Sequence, residues 1–152
     1  MPTENNSPTN HPTSFDQIKK HTETIFAEND WIEFRALRIK GTANKVHTLY
    51  RQVPLQDNDH SLIDWLDSHN LPSWGLYIGA NPRKSNSCSG ACNAATDDDV
   101  EVFRTIFADF DDATHVEALV RIESAGLPHP TLLISSGRAT GTHAYWRLEQ
   151  PI

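Results

Sequence analysis

With 152 residues, 38% of them hydrophobic, the chain has the size of one domain but is poor in core-filling side chains. Its formal net charge of −7 excludes a protein that coats nucleic acid by bulk electrostatics, while leaving room for a local cationic or metal-bearing site. No run approaches the ~18 apolar residues of a membrane span, and the N-terminus is neither hydrophobic nor basic enough for a signal peptide, so a soluble cytoplasmic protein is expected.

Residues 1–13, "MPTENNSPTNHPT", hold three prolines and almost no apolar side chain. They read as a disordered tail, because little apolar area is available to offset the entropy of ordering. Ser14-Phe15-Asp16-Gln17 has the form of a capping box, and Phe15, Ile18, Ile25 and Phe26 keep one helical face, which predicts a helix over 15–28. In "WIEFRALRI", Ile32, Phe34 and Ala36 alternate with polar neighbours before the phase switches at Leu37 and Ile39. A strand over 31–39 with a bulge follows. "KVHTLYRQV" predicts a second strand, with Gly41 and Asn44 in the turn. Asp59 can cap a helix carrying Leu62, Ile63, Trp65 and Leu66, and "WGLYIGANPRK" (74–84) predicts a strand stopped by Pro82. Residues 14–83 thus form an N-terminal α/β subdomain with a β-β-α-β order.

A polar stretch, 84–97, reads as a flexible loop. Its Cys88 and Cys92 are in the plain reading free thiols of a reducing compartment. A zinc site would need two further ligands, and no Cys/His pair follows at ligand spacing; a regulatory disulfide is the other alternative. The second half, 98–152, begins with a strand at about 101–111, in which Ile106, Phe107, Ala108 and Phe110 read as buried. Thr114-His115-Val116-Glu117 is a capping box for a helix with Val116, Leu119, Val120 and Ile122 inward. Gly126 stops that helix, and Pro128 and Pro130 prevent its return. "TLLIS" (131–135) predicts a buried strand. "THAYWRLE" (142–149) alternates, with Ala144, Trp146 and Leu148 on one face and His143, Tyr145 and Arg147 on the other. The fold class is α+β, its second half a β-α-β-β opening of a split βαβ unit.

In that topology the first and third strands are antiparallel neighbours, so the end of one lies beside the start of the other. Asp109 and Asp111 are brought towards His143. "TDDDVEVFRTIFADFDD" holds seven acids against one arginine. Two carboxylates rooted roughly 7 Å apart on one face repel unless a proton or a cation intervenes. Hard oxygen donors select Mg²⁺ or Mn²⁺, and a metal pair could bridge acids so spaced in phosphoryl transfer. A bare Asp-x-Asp also fits a solubilising pair at a strand end; the apolar lead-in argues against this. Around His143, "SSGRATGTHAYW" offers Ser136, Gly137, Arg138 and Gly141 as a phosphate cradle, the glycines allowing close backbone approach and Arg138 a forked donor. A plain hairpin bend would need the same glycines.

These residues resemble the archaeo-eukaryotic primase superfamily, the primase-polymerases of cellular, plasmid and phage replication. "FADFD" is similar to its first motif, an apolar strand ending in Asp-x-Asp. "SSGRATGTHAYWRL" is similar to its second, a small-x-His strand, and "WIEFRAL" and "YIGANPR" to its entry strands, so the likeness runs from about residue 31 onward. The resemblance implies a DNA primase or primase-polymerase that joins nucleoside triphosphates on a DNA template or primer with Mg²⁺ or Mn²⁺, with a helicase domain or partner. It implies Asp109 and Asp111 as metal ligands, His143 as the triphosphate contact, and Tyr145 and Trp146 as the aromatic pair, Tyr145 towards the site and Trp146 in the core. Arg138 and Arg83 are chemical candidates for the triphosphate, without a fixed place in the family pattern. The family's third motif, a further acid, has no counterpart before "EQPI". Glu149 shares a face with His143 but stands about 20 Å along the strand. The expectation is therefore a fragment or truncated member with little activity alone, whose last strand would otherwise cover the acid-bearing edge. A nucleotide cyclase and a non-catalytic nucleotide-binding or replication-initiator module are the rival readings.

Overall fold

A computed structural model describes residues 14–38, 45–85, 94–136 and 140–152. The expected tail, the turn residues Gly41 and Asn44, the cysteines Cys88 and Cys92, and Gly137 with Arg138 lie outside the described residues. In chain order the elements are α1 (Ser14–Ile25), β1 (Trp31–Arg38), β2 (Val46–Gln52), α2 (His60–His69), β3 (Trp74–Ile78), β4 (Thr105–Phe110), α3 (His115–Ser124), β5 (Leu132–Ser135) and β6 (Thr142–Arg147). They build an α+β architecture of two antiparallel three-stranded sheets, ordered β2-β1-β3 and β4-β6-β5.

Helix α1 serves both sheets. Ile25 and, just past the helix end, Phe26 join Ile32, Phe34, Val53, Leu55 and Leu62 in the core, and Tyr145 of β6 completes the same cluster. On the second-sheet side, Arg147 donates to the Thr24 carbonyl at 2.9 Å. Asp59 caps α2 by accepting from the Leu62 N–H at 3.0 Å. Arg51 braces that carboxylate through Nε at 2.5 Å and is the main reason its pKa is lowered to about 2. The Thr114–Glu117 capping box of α3 is formed in both directions, and Gly126 follows the helix at φ 70, a left-handed value that favours glycine.

Several expectations are corrected. From Trp31 to Leu37 every residue of β1 has a single partner on β2, so the predicted bulge is absent within the described residues. The inward residue that breaks the simple alternation is Glu33, 1% exposed. It enters the interior because cations come with it: Arg35 Nη2 binds both its oxygens, at 2.8 and 2.9 Å, and Arg83 Nη2 stands 3.3 Å away. The Ala95 N–H adds a further donor at 3.0 Å.

Strand β4 is shorter and more open than predicted. It is an edge strand, and Ile106 and Phe107 are more than half exposed. Residues 101–104 stay out of the strand because other groups take their amides: Glu101 donates to Pro82 and Phe103 to Ile152. The Asn81 side chain then accepts from the N–H groups of Arg104 and Thr105, both at 2.9 Å, and donates to the Thr105 carbonyl at 3.1 Å. In α3 the buried stripe is Ala118 and Ile122, while Val116 and Val120 face outward. β5 is half-buried rather than buried. No helix among the described residues is long and apolar enough to cross a membrane.

Candidate functional site

β4 and β6 run antiparallel in a register that sets Asp109 directly opposite His143, as the strand order implied. Their side chains meet, His143 Nε2 lying 3.4 Å from Asp109 Oδ1. Both remain accessible, at 28% and 48% side-chain exposure, so the pair is open to a ligand rather than sealed as a structural ion pair. Asp111 is placed differently from the expectation. β4 ends at Phe110, and Asp111 is in the turn that leads to α3, one residue past the last paired position.

The pair lines a cavity of about 410 Å³ bounded by α1, β3 and the second sheet. Its lining mixes apolar and aromatic side chains, Leu76, Tyr77, Ile78, Phe107 and Ile134, with the polar Asp109, His143 and Ser136. Ser135 also borders it, but its hydroxyl lies 3.2 Å from His115 Nε2. Tyr145 belongs to the same lining. Its ring centroid is 6.0 Å from that of Phe107, 6.5 Å from His143 and 5.5 Å from His21. Burial, with the nearby Asp109 charge second, raises the Tyr145 pKa. The aromatic pair is thus reversed in part. Tyr145 faces the site and is also a core residue, 6% exposed, whereas Trp146 is only half-buried on the other face, its indole donating to the Pro128 carbonyl at 2.7 Å.

Gly141 and Ser136 close the turn that begins β6, the Ser136 N–H donating to the Gly141 carbonyl at 3.0 Å. A Cβ at position 141 would fall 2.1 Å from Ser136 Oγ, and φ there is +153, so this position requires glycine for close packing. Thr142, fully buried, fastens the start of β6 to the Ala113 carbonyl at 2.9 Å. Arg83 is not part of this cavity. It is held by Glu33 and by bridge pairing to Trp31 and Val100, apart from the residues that the cavity brings together. Glu149 lines a separate cavity with Arg104 and Arg147.

His21 was not anticipated. It lies three residues after Ile18 and four before Ile25, on the apolar stripe of α1, and that spacing was the available signal. Burial lowers its pKa to about 4, with His143 as the second cause.

Asp109 and Asp111 are both exposed carboxylates, the oxygen donor type that Mg²⁺ and Mn²⁺ take, but Asp109 lines the cavity and Asp111 does not. Among the described residues no group of three or more His, Cys, Asp or Glu is placed to hold a metal ion. Compared with known proteins, the chain matches no protein-family model, and no curated protein and no solved structure is significantly similar to it.

Proposed function

We propose that this chain is a nucleotide-binding catalytic module of the primase-polymerase type, acting on nucleoside triphosphates along a DNA template. The observation that carries this reading is the Asp109–His143 pairing across β4 and β6, on a cavity that also carries apolar and aromatic side chains. A nucleotide combines the same two characters, a flat base and an anionic phosphate chain. The strand order β4-β6-β5, with α3 between β4 and β5 in sequence, is also that of an opening split βαβ unit.

In this reading Asp109 and Asp111 hold Mg²⁺ or Mn²⁺, which when bound neutralises the charge of the triphosphate. His143 orients the phosphates from β6. Phe107 and Tyr77 offer ring faces to the base. The reaction class is nucleotidyl transfer to a 3′-hydroxyl with loss of pyrophosphate.

The test is binding of a fluorescent triphosphate followed by polarisation, with and without Mn²⁺, and then incorporation on a primed template. Metal-dependent binding that is lost in Asp109→Asn and His143→Ala is expected. Absence of triphosphate binding by the unaltered chain would remove the reading. Among the described residues Asp109 is the one acid that lines the cavity, and no group of three or more His, Cys, Asp or Glu is placed to hold a metal, which favours a second reading, a nucleotide-binding module without turnover. Binding without incorporation supports it.

A further inference from the structure

Two imidazoles meet beside the first sheet, and neither lines the cavity described above. His47 Nδ1, on β2, lies 2.8 Å from His69 Nε2, at the end of α2. The other His69 nitrogen, Nδ1, is 2.8 Å from the Trp65 carbonyl, an acceptor that requires an N–H there. The adjacent Ser68 hydroxyl donates to the same carbonyl, so it has no proton to give Nδ1. His69 Nε2 therefore keeps its lone pair, directed at His47. Indoles hold the ring in that orientation: Trp65 lies against it at a centroid distance of 4.4 Å, and Trp74 meets it edge-on at 5.0 Å. Trp74 also flanks the His47 ring, at 4.8 Å.

A backbone carbonyl anchoring one ring nitrogen while the other presents a lone pair is the arrangement of a metal-ligating histidine. The second imidazole beside it makes a two-toothed site. His47 is exposed, so an ion reaches the pair from solvent, and the His47 ring has room to turn towards it. The proton now between the rings is kept: His47 changes to its Nε2–H form, the tautomer that frees Nδ1. Helix α2 adds a favourable field, because His69 is its last residue and the C-terminal end of a helix carries partial negative charge.

The spacing selects among metals. Nitrogens about 2.0–2.1 Å from an ion stand about 2.9 Å apart at a right angle, but about 3.3–3.4 Å apart in a tetrahedron. The observed 2.8 Å matches the right angle of tetragonal Cu²⁺ or Ni²⁺ rather than tetrahedral Zn²⁺. Among the described residues no third His, Cys, Asp or Glu joins the pair, so water fills the other positions on the ion. We propose that His47 and His69 form a binding site for a tetragonal divalent ion, Cu²⁺ or Ni²⁺, that clasps β2 to the end of α2. The site is independent of the nucleotide reading.

The experiment is titration of the whole chain with Cu²⁺ at pH 7.5, after Cys88 and Cys92 are alkylated so that thiols neither bind nor reduce the ion. Binding is followed by tryptophan quenching and by electron paramagnetic resonance. One equivalent should quench the emission of Trp65 and Trp74 and give a tetragonal spectrum with two imidazole nitrogens, and Zn²⁺ should compete weakly. Affinity should fall about tenfold or more in His47→Gln and in His69→Gln. Circular dichroism checks folding; should His69→Gln not fold, His47→Gln, at an exposed position, carries the comparison. The ion should also raise the thermal midpoint of the unaltered chain and not that of His47→Gln. No binding by the unaltered chain, binding unchanged in His47→Gln, or binding lost instead in His143→Ala overturns the inference. None of these results touches the nucleotide reading, which triphosphate binding tests separately.

Discussion

His21 stays neutral on folding over a pH range in which an exposed histidine would take a proton. Its pKa falls from 6.5 to about 4, so between those values the unfolded chain binds more protons than the folded one. Stability is therefore full above pH 6.5 and declines as the pH drops towards 4, by roughly 3 kcal/mol at most for such a displacement. Urea midpoints measured from pH 7 to 4.5 should fall in the unaltered chain and fall less in His21→Phe, which keeps a ring against Tyr145. Parallel slopes would show that His21 is not the titrating group. Asp59, Asp112 and Glu117, whose pKa values are lowered, add a loss of the same sign only near the bottom of this range, and they do so equally in both chains, so the difference between the chains reports His21. At this scale the sequence was readable for Asp109 and His143, since antiparallel pairing of the first and third strands joins them whatever else the fold does. His21 and Glu33 were not readable. Each is a polar residue inside, and what permits it there, a cavity in one case and in the other Arg83 and the Ala95 N–H from distant positions beside the neighbouring Arg35, is a tertiary fact.

Among the elements, α2 offers a direct test of capping. Asp59 serves the Leu62 N–H and Arg51 together, so Asp59→Ala should cost about 1–2 kcal/mol, read as a lowered thermal midpoint. Asp59→Asn, which can still cap, should recover part of this at neutral pH. In β1, Glu33→Gln leaves the arginines beside it without their counter-charge, one of them only 13% exposed. The expected loss is about 3–5 kcal/mol by chemical denaturation; a near-neutral result would mean that the arginines reach solvent. Element identity was legible from the capping box at Thr114 and the N-cap at Asp59 to the alternation in 142–147, because period and cap chemistry are local. Facing was legible only in part. Periodicity shows that Ile106 and Phe107 belong to a strand and Val116 and Val120 to one side of a helix, but not whether another layer covers them; at all four positions the side chain is exposed.

Across the whole molecule, the two sheets are joined by a few specific links: α1 between them, Arg104 to Asp30 at 2.6 Å, and the Asn81 side chain on β4. Asn81→Leu keeps the volume and removes all three Asn81 bonds, stranding buried backbone groups of Arg104 and Thr105. A loss of about 2–4 kcal/mol is expected in the unfolding free energy, and a change under 1 kcal/mol would show that water replaces the amide. Asn81 has a second effect on β4. Arg104 turns its carbonyl towards β6, where Leu148 takes it, while both backbone groups of Thr105 point the other way, to Asn81. By the alternation of an antiparallel ladder, Phe107 and Asp109 also direct theirs outward. A guest strand arriving from another molecule would find the first rung already taken by an amide and the third flanked by a carboxylate. One side chain thus shortens the exposed margin of the sheet and works against runaway stacking of copies in concentrated solution.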